Sequence, residues 1–345
     1  MRNPGSASGG RILVRMPNWL GDAVMAVGFL NRLTEGYPGA AVHAIVREEL
    51  ADFARLLPQV QAVHACHRDR MASALTAPRL ARRIAGAEGF DWFYCLPASF
   101  SSAFMGLFTR SRDRIGYRGQ WRSWTLTRAY GRPAAVHRAA EYAHLLHERL
   151  PDAARGLTIA VTPRAADACP GFAGSDRPLI GLNINSDARS RQLSPARGAL
   201  IADALVGAFD CAVVLIGARA QAARAAALAA GMRRPDRCID MSGKTTLPQL
   251  AWLLARLDAF VSVDSGPAHL ANAVGTMTVV LFGAGNEART APWNTGQLRV
   301  LGIDGLPCRR CGENICRFGT PSCLEDLPVD AIVAAVRCRT PDPRL

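Results

Sequence analysis

Residues Phe260–Gly283, FVSVDSGPAHLANAVGTMTVVLFG, read as a strand, a tight turn, a short helix and a second strand. Phe260, Val261 and Val263 form one β-branched and aromatic run, and Thr278–Phe282 form another. Two strands joined through a helix call for a parallel sheet, which restricts the fold to the α/β class. Between the strands lies helix-start chemistry. Ser265 is expected to cap the helix, Gly266 lets backbone approach a ligand, and Pro267 suits the first turn. A helix that opens directly after a parallel strand offers unpaired N–H groups and a positive dipole end, a setting for phosphate.

A matching half-site stands at the other end of the chain, Arg11–Leu33. Ile12–Val14 is a short buried strand, and Pro17-Asn18-Trp19-Leu20-Gly21-Asp22 turns into a helix with apolar residues at Val24, Val27, Phe29, Leu30 and Leu33. Asp22 therefore sits on the carboxyl edge of a parallel sheet, where α/β proteins bind ligands. A carboxylate at a helix start stays ionised and serves as a moderate base.

Between these ends the chain keeps a βαβα rhythm. Strands are expected near Ile12–Val14, Ala41–Val46, Ala62–His64 and Trp92–Leu96, with helices near Ala23–Leu33, Glu48–Leu57, Arg79–Ala85 and Ala139–Arg149. A stretch rich in Ala, Pro, Gly and Asp over Pro151–Pro178 reads as a domain edge. Beyond it come a strand at Leu179–Ile184, a helix at Ala196–Phe209, a strand at Ala212–Gly217, and helices at Arg219–Ala230 and Leu247–Arg256. At 345 residues the chain exceeds one ordinary core. The expected division is a flexible leader over 1–10, an amino domain over 11–170 and a carboxyl domain over 171–345.

The motifs Leu20-Gly21-Asp22, Asp264-Ser265-Gly266-x-x-His269 and Leu281-Phe282-Gly283, in this order and followed by a cysteine-bearing tail, resemble glycosyltransferase family 9, the ADP-heptose:lipopolysaccharide heptosyltransferases. The resemblance runs from about Arg11 to Val336. It implies the GT-B fold, two Rossmann-like domains with parallel sheets facing across a cleft. It also implies an inverting transfer of heptose or a related sugar from a nucleotide-diphosphate donor, ADP-heptose foremost, to a lipopolysaccharide-core or similar lipid-linked glycan. Asp22 matches the family's general base. Ser265 and Gly266 match the residues that hold the diphosphate, Asp264 a position near the sugar hydroxyls, and His269, one helical turn further on, is expected to face the same phosphates. Relatives often carry Lys-x-Trp-Pro where this chain has Arg191, Leu193 and neighbours, and an acidic ribose contact where it has Gln221. Arginine binds phosphate bidentately where lysine acts as a point charge. No metal is expected, because helix-end N–H groups and a basic side chain offset the leaving charge.

Charge adds a partner. Residues 1–178 hold 23 arginines against 14 acids, and residues 179–345 hold 18 basic residues against 14 acids. The excess in the amino half suits an anionic acceptor or the inner face of an anionic membrane. It concentrates in Phe104–Arg132, where Arg112, Arg118 and Arg122 interleave with Tyr117, Trp121 and Trp124 and are expected to face that acceptor or surface. The same mixture could bind RNA, but no RNP, KH or helix-turn-helix pattern surrounds it, so no nucleic acid is expected. A non-catalytic nucleotide- or RNA-binding protein on the same scaffold is the alternative reading.

No apolar run approaches the ~18 residues of a membrane span, and MRNPGSASGG lacks a signal-peptide core. A cytoplasmic protein, peripheral on the membrane, is expected, with its ten cysteines largely reduced. Cys308, Cys311, Cys316 and Cys323 have spacing compatible with a structural zinc site, the lesser reading beside a loop of packed thiols.

Overall fold

The computed structural model describes residues 9–67, 69, 76–169, 172 and 175–336. The chain forms two compact units, one ending at Ile159 and the next beginning at Ala160. The division precedes the residue 170 expected from composition. The Val161 N–H already donates to the Ala273 carbonyl, which fastens this stretch to the second unit. Most of the expected leader falls outside the described residues.

The first unit holds β1 (Arg11–Arg15), β2 (Ala41–Arg47), β3 (Ala62–Cys66), β4 (Trp92–Cys95), β5 (Asp113–Tyr117) and β6 (Arg128–Tyr130), in the spatial order β3-β2-β1-β4-β5-β6. The second holds β7 (Leu179–Asn183), β8 (Ala212–Leu215), β9 (Cys238–Asp240), β10 (Ala259–Val263), β11 (Met277–Leu281) and β12 (Leu298–Leu301), in the order β12-β11-β10-β7-β8-β9. All pairings are parallel. Both sheets thus follow one winding: three strands run outward in one direction, then the chain returns past the first strand and continues the other way. Each unit is a Rossmann-like sheet. No sequence repeat announces this shared winding.

Burial explains the strand composition. Ile12, Leu13 and Val14 of β1, and every residue of β7, β10 and β11, are buried, because helices cover both faces of a parallel sheet. Each Val, Leu or Ile buried this way stabilises by about 1.5–3 kcal/mol. The 15-residue helix Pro195–Phe209 shows the local rules well. Ser194 accepts the Arg197 N–H at its start, Pro195 takes the first turn, and Asp210 closes it with a left-handed backbone. Its buried stripe of Ile201, Ala202 and Leu205 joins the core cluster that includes Ile332 and Val336.

The helix expected over Ala23–Leu33 is two: Leu20–Met25 and Val27–Gly36, with Ala26 as the joint. The sequence reading places no strand at β5, β6, β9 or β12. Asp-Arg-Ile-Gly-Tyr and Arg-Ala-Tyr carry no apolar run, and strands toward a sheet edge tolerate that.

A Cβ on Gly181, in the centre of β7, would lie 2.5 Å from Leu257 Cδ1 and 2.6 Å from Phe260 Cδ2. The Phe260 ring is fully buried on the adjacent strand and has no room to retreat. Overpacking of this kind costs about 1–3 kcal/mol. Gly181→Ala is therefore expected to lower the urea midpoint for unfolding; a parental midpoint would show slack in this core.

Candidate functional site

In a doubly wound sheet, ligands bind at the carboxyl edge where the strand order reverses, because the connections there diverge to opposite faces. The first unit reverses between β1 and β4, the second between β7 and β10. The turn after β1 leads to Asp22 and the turn after β10 holds Asp264, Ser265 and Gly266, so each sequence half-site stands at a reversal point.

The turn after β1 is held from below by Arg15. Its side chain is buried and donates to the Met16 and Ile45 carbonyls and to Asn18 Oδ1. Burial lowers its pKa to about 10, which still leaves it charged at neutral pH. Asp22 follows in the first turn of Leu20–Met25, half-buried, and its Oδ1 accepts the Tyr142 hydroxyl at 3.2 Å. Tyr142 comes from the helix Arg138–His144 and is buried; burial and then the Asp22 charge push its phenol well above the usual range. Arg138 lies beside both. Burial works to lower its pKa, but Tyr142, Glu141 and Asp22 together raise it. Glu141, 1% exposed, pairs with Arg132 at 3.0 Å and Arg138 at 3.8 Å. Sequence reading found Asp22 but missed Tyr142, Arg138 and Glu141, because nothing local connects a helix 120 residues away to the first turn.

The expected basic face does not hold together. Arg122 is 0% exposed: its Nε donates to the Tyr117 carbonyl at 2.6 Å and an Nη to Pro97 O, so it cannot face an acceptor or a membrane. The carbonyls of the β4 and β5 turns draw it in. Arg112 and Arg118 are exposed but lie at opposite ends of β5, about 20 Å apart at ~3.3 Å per residue. Arg112 lines a cavity of about 740 Å³ at the amino edge with Tyr37, Trp92 and Arg149. Arg114 donates to the Thr125 and Ser111 carbonyls, and Arg128 pairs with Asp113 and Glu148. What the carboxyl edge exposes is aromatic. Trp19 follows β1, Phe100 follows β4, and Trp121 and Trp124 follow β5, with Trp121 91% exposed. Gln120 and Trp121 hold left-handed backbone at φ 48° and 59°, which lifts the indole into solvent.

In the second unit, Asn183 at the end of β7 donates through Nδ2 to Ser265 Oγ at 2.9 Å, Ser262 Oγ at 3.1 Å and the Asn185 carbonyl at 3.0 Å. The Ser186 hydroxyl donates to the Asp264 carbonyl at 3.0 Å. These bonds clamp the β7 and β10 turns together. They also overturn the expected role of the Ser265 side chain: it occupies the N-cap position, yet its hydroxyl bonds Asn183 and Ser262 and does not cap the helix. The eight-residue helix Gly266–Ala273 thus opens without a side-chain cap. His269 lies on it, 5% exposed.

Arg191 donates to Asp264 Oδ2 at 2.9 Å, and its buried Nε has no hydrogen-bond partner among the described residues. A buried guanidinium donor beside an uncapped helix start is a setting for an anionic oxygen. Gln221 turns its carboxamide oxygen to the Ala218 N–H at 3.0 Å, at the carboxyl edge of β8. Asn185, Ser186 and Arg224, whose Nε donates to Asn185 Oδ1 at 2.9 Å, complete this edge and were missed in sequence. A polar run directly after the apolar β7 was the available signal.

The cysteine-bearing loop is stitched to the same place, since the Ser190 N–H and hydroxyl donate to the Asn314 and Glu313 carbonyls. Glu287 anchors it through Arg309 and Arg310, and hydrogen bonding from Arg310 helps hold its carboxyl at about 2. Burial, then the nearness of Cys308, Cys316 and Cys311, pushes the Cys323 thiol up. Among the described residues no group of three or more such side chains is arranged to hold a metal ion.

Comparison with known proteins bears on this arrangement. A family model described as glycosyltransferase family 9 (heptosyltransferase) matches residues 78–320, more than half of the chain. Lipooligosaccharide heptosyltransferase 2 of Haemophilus ducreyi is 29% identical, over 94% of this chain and 97% of its own length. The solved ADP-heptose LPS heptosyltransferase II of E. coli superposes with a TM-score of 0.80 at 23% identity, covering 94% of this chain and 97% of that one. A family 9 glycosyltransferase of Veillonella parvula gives a TM-score of 0.83 at 20% identity, covering 96% and 98%. The fold is that of the GT-B heptosyltransferases.

The Arg191–Asp264 pair yields a test with a defined sign. Arg191→Gln leaves a buried carboxylate without this cation, so affinity for inorganic pyrophosphate, a probe for an anion at this helix start, is expected to fall roughly tenfold or more by calorimetry. Asp264→Asn added to it removes the negative charge beside Arg191's place and is expected to recover part of the loss. Parental pyrophosphate affinity in Arg191→Gln would show that this arginine holds no anion.

Proposed function

This chain belongs to glycosyltransferase family 9, and from that premise we propose how its residues divide the work. The protein is a glycosyltransferase that moves heptose from a nucleotide-sugar donor to an acceptor of the lipopolysaccharide type. ADP-heptose is the donor, in keeping with the E. coli relative.

Asp22 carries the reading: it is a half-buried carboxylate at a reversal point, with its orientation set by a buried tyrosine. In this mechanism Asp22 takes the proton of the acceptor hydroxyl as that oxygen attacks the anomeric carbon. The bond from that carbon to the diphosphate breaks on the opposite face, the electron pair leaves with the diphosphate, and configuration inverts. Backbone N–H groups at Ser265 and Gly266 and the Arg191 fork meet the growing negative charge, so the step calls for no metal. Asp264 faces the sugar hydroxyls, Gln221 the ribose, and His269 supports the helix that carries the phosphate contacts. A non-catalytic nucleic-acid module is not favoured, since Arg114, Arg122 and Arg128 are committed to internal partners and form no continuous basic groove.

Among the described residues no helix is long and apolar enough to cross a membrane. The acceptor is nevertheless lipid-borne in this reading, and the enzyme works in the cytoplasm on the inner face of the membrane. The contact runs through Trp19, Phe100, Trp121 and Trp124, with Arg118 nearby and Arg47 stacked 5.4 Å over the Trp19 ring. Indoles settle at the headgroup boundary, and arginines add salt-sensitive attraction to anionic lipid.

Asp22→Asn keeps shape and removes the base. Turnover is expected to fall ~10²–10⁴-fold while ADP affinity stays within about twofold. Near-normal turnover with a lipopolysaccharide-type acceptor would end the general-base assignment. For the surface, sedimentation with vesicles containing anionic phospholipid should show attachment at low salt, weakened in Trp121→Ala/Trp124→Ala and unaffected in Arg122→Gln that remains folded. Equal sedimentation of the tryptophan variant would remove this edge as the membrane contact.

A further inference from the structure

We propose that Tyr142 is a positioning residue for Asp22, holding the carboxylate through its hydroxyl while Arg138 and Glu141 hold Tyr142. The inference rests on the reading of Asp22 as the base and adds the group that aims it.

The helix Arg138–His144 starts where the His137 ring accepts the Ala139 N–H at 3.2 Å. Arg138 and Tyr142 are four residues apart and therefore share a face, with Glu141 three residues from Arg138 beside them. That face meets the helices Leu20–Met25 and Val27–Gly36. Packing alone would be served by phenylalanine. The hydroxyl sets this residue apart: buried, it lies 3.2 Å from Asp22 Oδ1, with the Arg138 guanidinium beside it. A buried phenol beside a carboxylate keeps its proton, so Tyr142 is a donor to Asp22 throughout the cycle. It is not the base and transfers no proton.

The arrangement behind Tyr142 is built, in that Glu141 is 1% exposed and lies between Arg132 and Arg138. The Glu141 carbonyl accepts the Tyr117 hydroxyl, which ties the helix to the end of β5. Glu141 thereby sets a negative charge 3.8 Å from Arg138, Arg138 stands beside Tyr142, and Tyr142 orients Asp22. Fixing one oxygen of a carboxylate fixes the rotation of the other, and a base displaced by an ångström loses much of its rate. The titratable groups about Asp22 include Tyr142 and Arg138, with Glu141 behind them. A donor hydrogen bond favours the charged carboxylate, so its removal raises the pKa of Asp22 and moves the loss of activity on acidification to higher pH.

The test is Tyr142→Phe in the full-length enzyme, assayed with ADP-heptose and a lipopolysaccharide-type acceptor. We expect kcat to fall roughly 10- to 30-fold, KM for the donor to stay within about twofold, and the acid limb of the rate–pH profile to move up by about one unit. In the Asp22→Asn background the same change should cost nothing further, because the hydroxyl acts only through that carboxylate. Parental kcat and an unmoved limb, or losses that multiply in the double variant, would overturn the proposal. High activity of Asp22→Asn alone would instead sink the base reading, whatever Tyr142 does. Should Tyr142→Phe fail to fold, 3-fluorotyrosine at position 142 supplies a stronger donor and should move the acid limb to lower pH; an unmoved limb overturns the proposal equally.

Discussion

Parallel strands covered by helices on both faces leave only the sheet edges for chemistry. Backbone pairing and helix cover consume the faces, and Ile12, Leu13, Val14 and the whole of β7, β10 and β11 are accordingly buried, and apolar or small apart from Asn183, Ser262 and Thr278. The carboxyl edge opens where successive connections part, which is why Asp22, after the first strand of one unit, and Asp264, after the fourth strand of the other, each stand at a reversal point in units that share a winding order but no evident sequence repeat. Both candidate half-sites depend on this one topological fact.

Buried arginine is the second organising element. Arg15 ends β1 and Arg122 lies in the loop after β5, and both donate to main-chain carbonyls at or beside the carboxyl ends of neighbouring strands. Burying a guanidinium is costly unless its donors are satisfied. Main-chain carbonyls at and beside the β1, β4 and β5 turns take part of these donors, while Arg15 Nε and one Arg122 Nη have no hydrogen-bond partner among the described residues, so each arginine braces a loop at some cost. Arg191 plays a related part in the second unit, with Asp264 as its partner and one Nε donor left over. Part of the chain's arginine content therefore serves internal bracing.

This changes the meaning of the basic segment. Composition suggested a cationic face from Arg110 to Arg132, yet carbonyls and carboxylates take up Arg114, Arg122, Arg128 and Arg132. What remains exposed on the edge beside Asp22 is an aromatic rim, with Trp121 lifted on left-handed backbone. A surface of indoles with a few arginines is suited to a lipid boundary, where a purely cationic one would act at longer range and fade more steeply with salt.

Short-range patterns were legible in the sequence. The βαβ block at Phe260–Gly283, the turn leading to Asp22, the α/β class and the family resemblance all follow from periodicity and from motifs a few residues long. Strands such as Asp113–Tyr117 and Arg128–Tyr130 were not legible, since outer positions in a sheet carry no apolar signature. Nor was the Ser265 side chain's preference for Asn183 over the helix it precedes, a choice made by a strand 82 residues away. The sequence by itself determined which residues carry charge, where strands hand over to helices, and the kind of ligand a strand–turn–helix edge accepts. Only the tertiary structure decided which charges are neutralised, which arginines are buried, and which tyrosine meets Asp22, because those outcomes depend on strand order and on helices that pack from far along the chain.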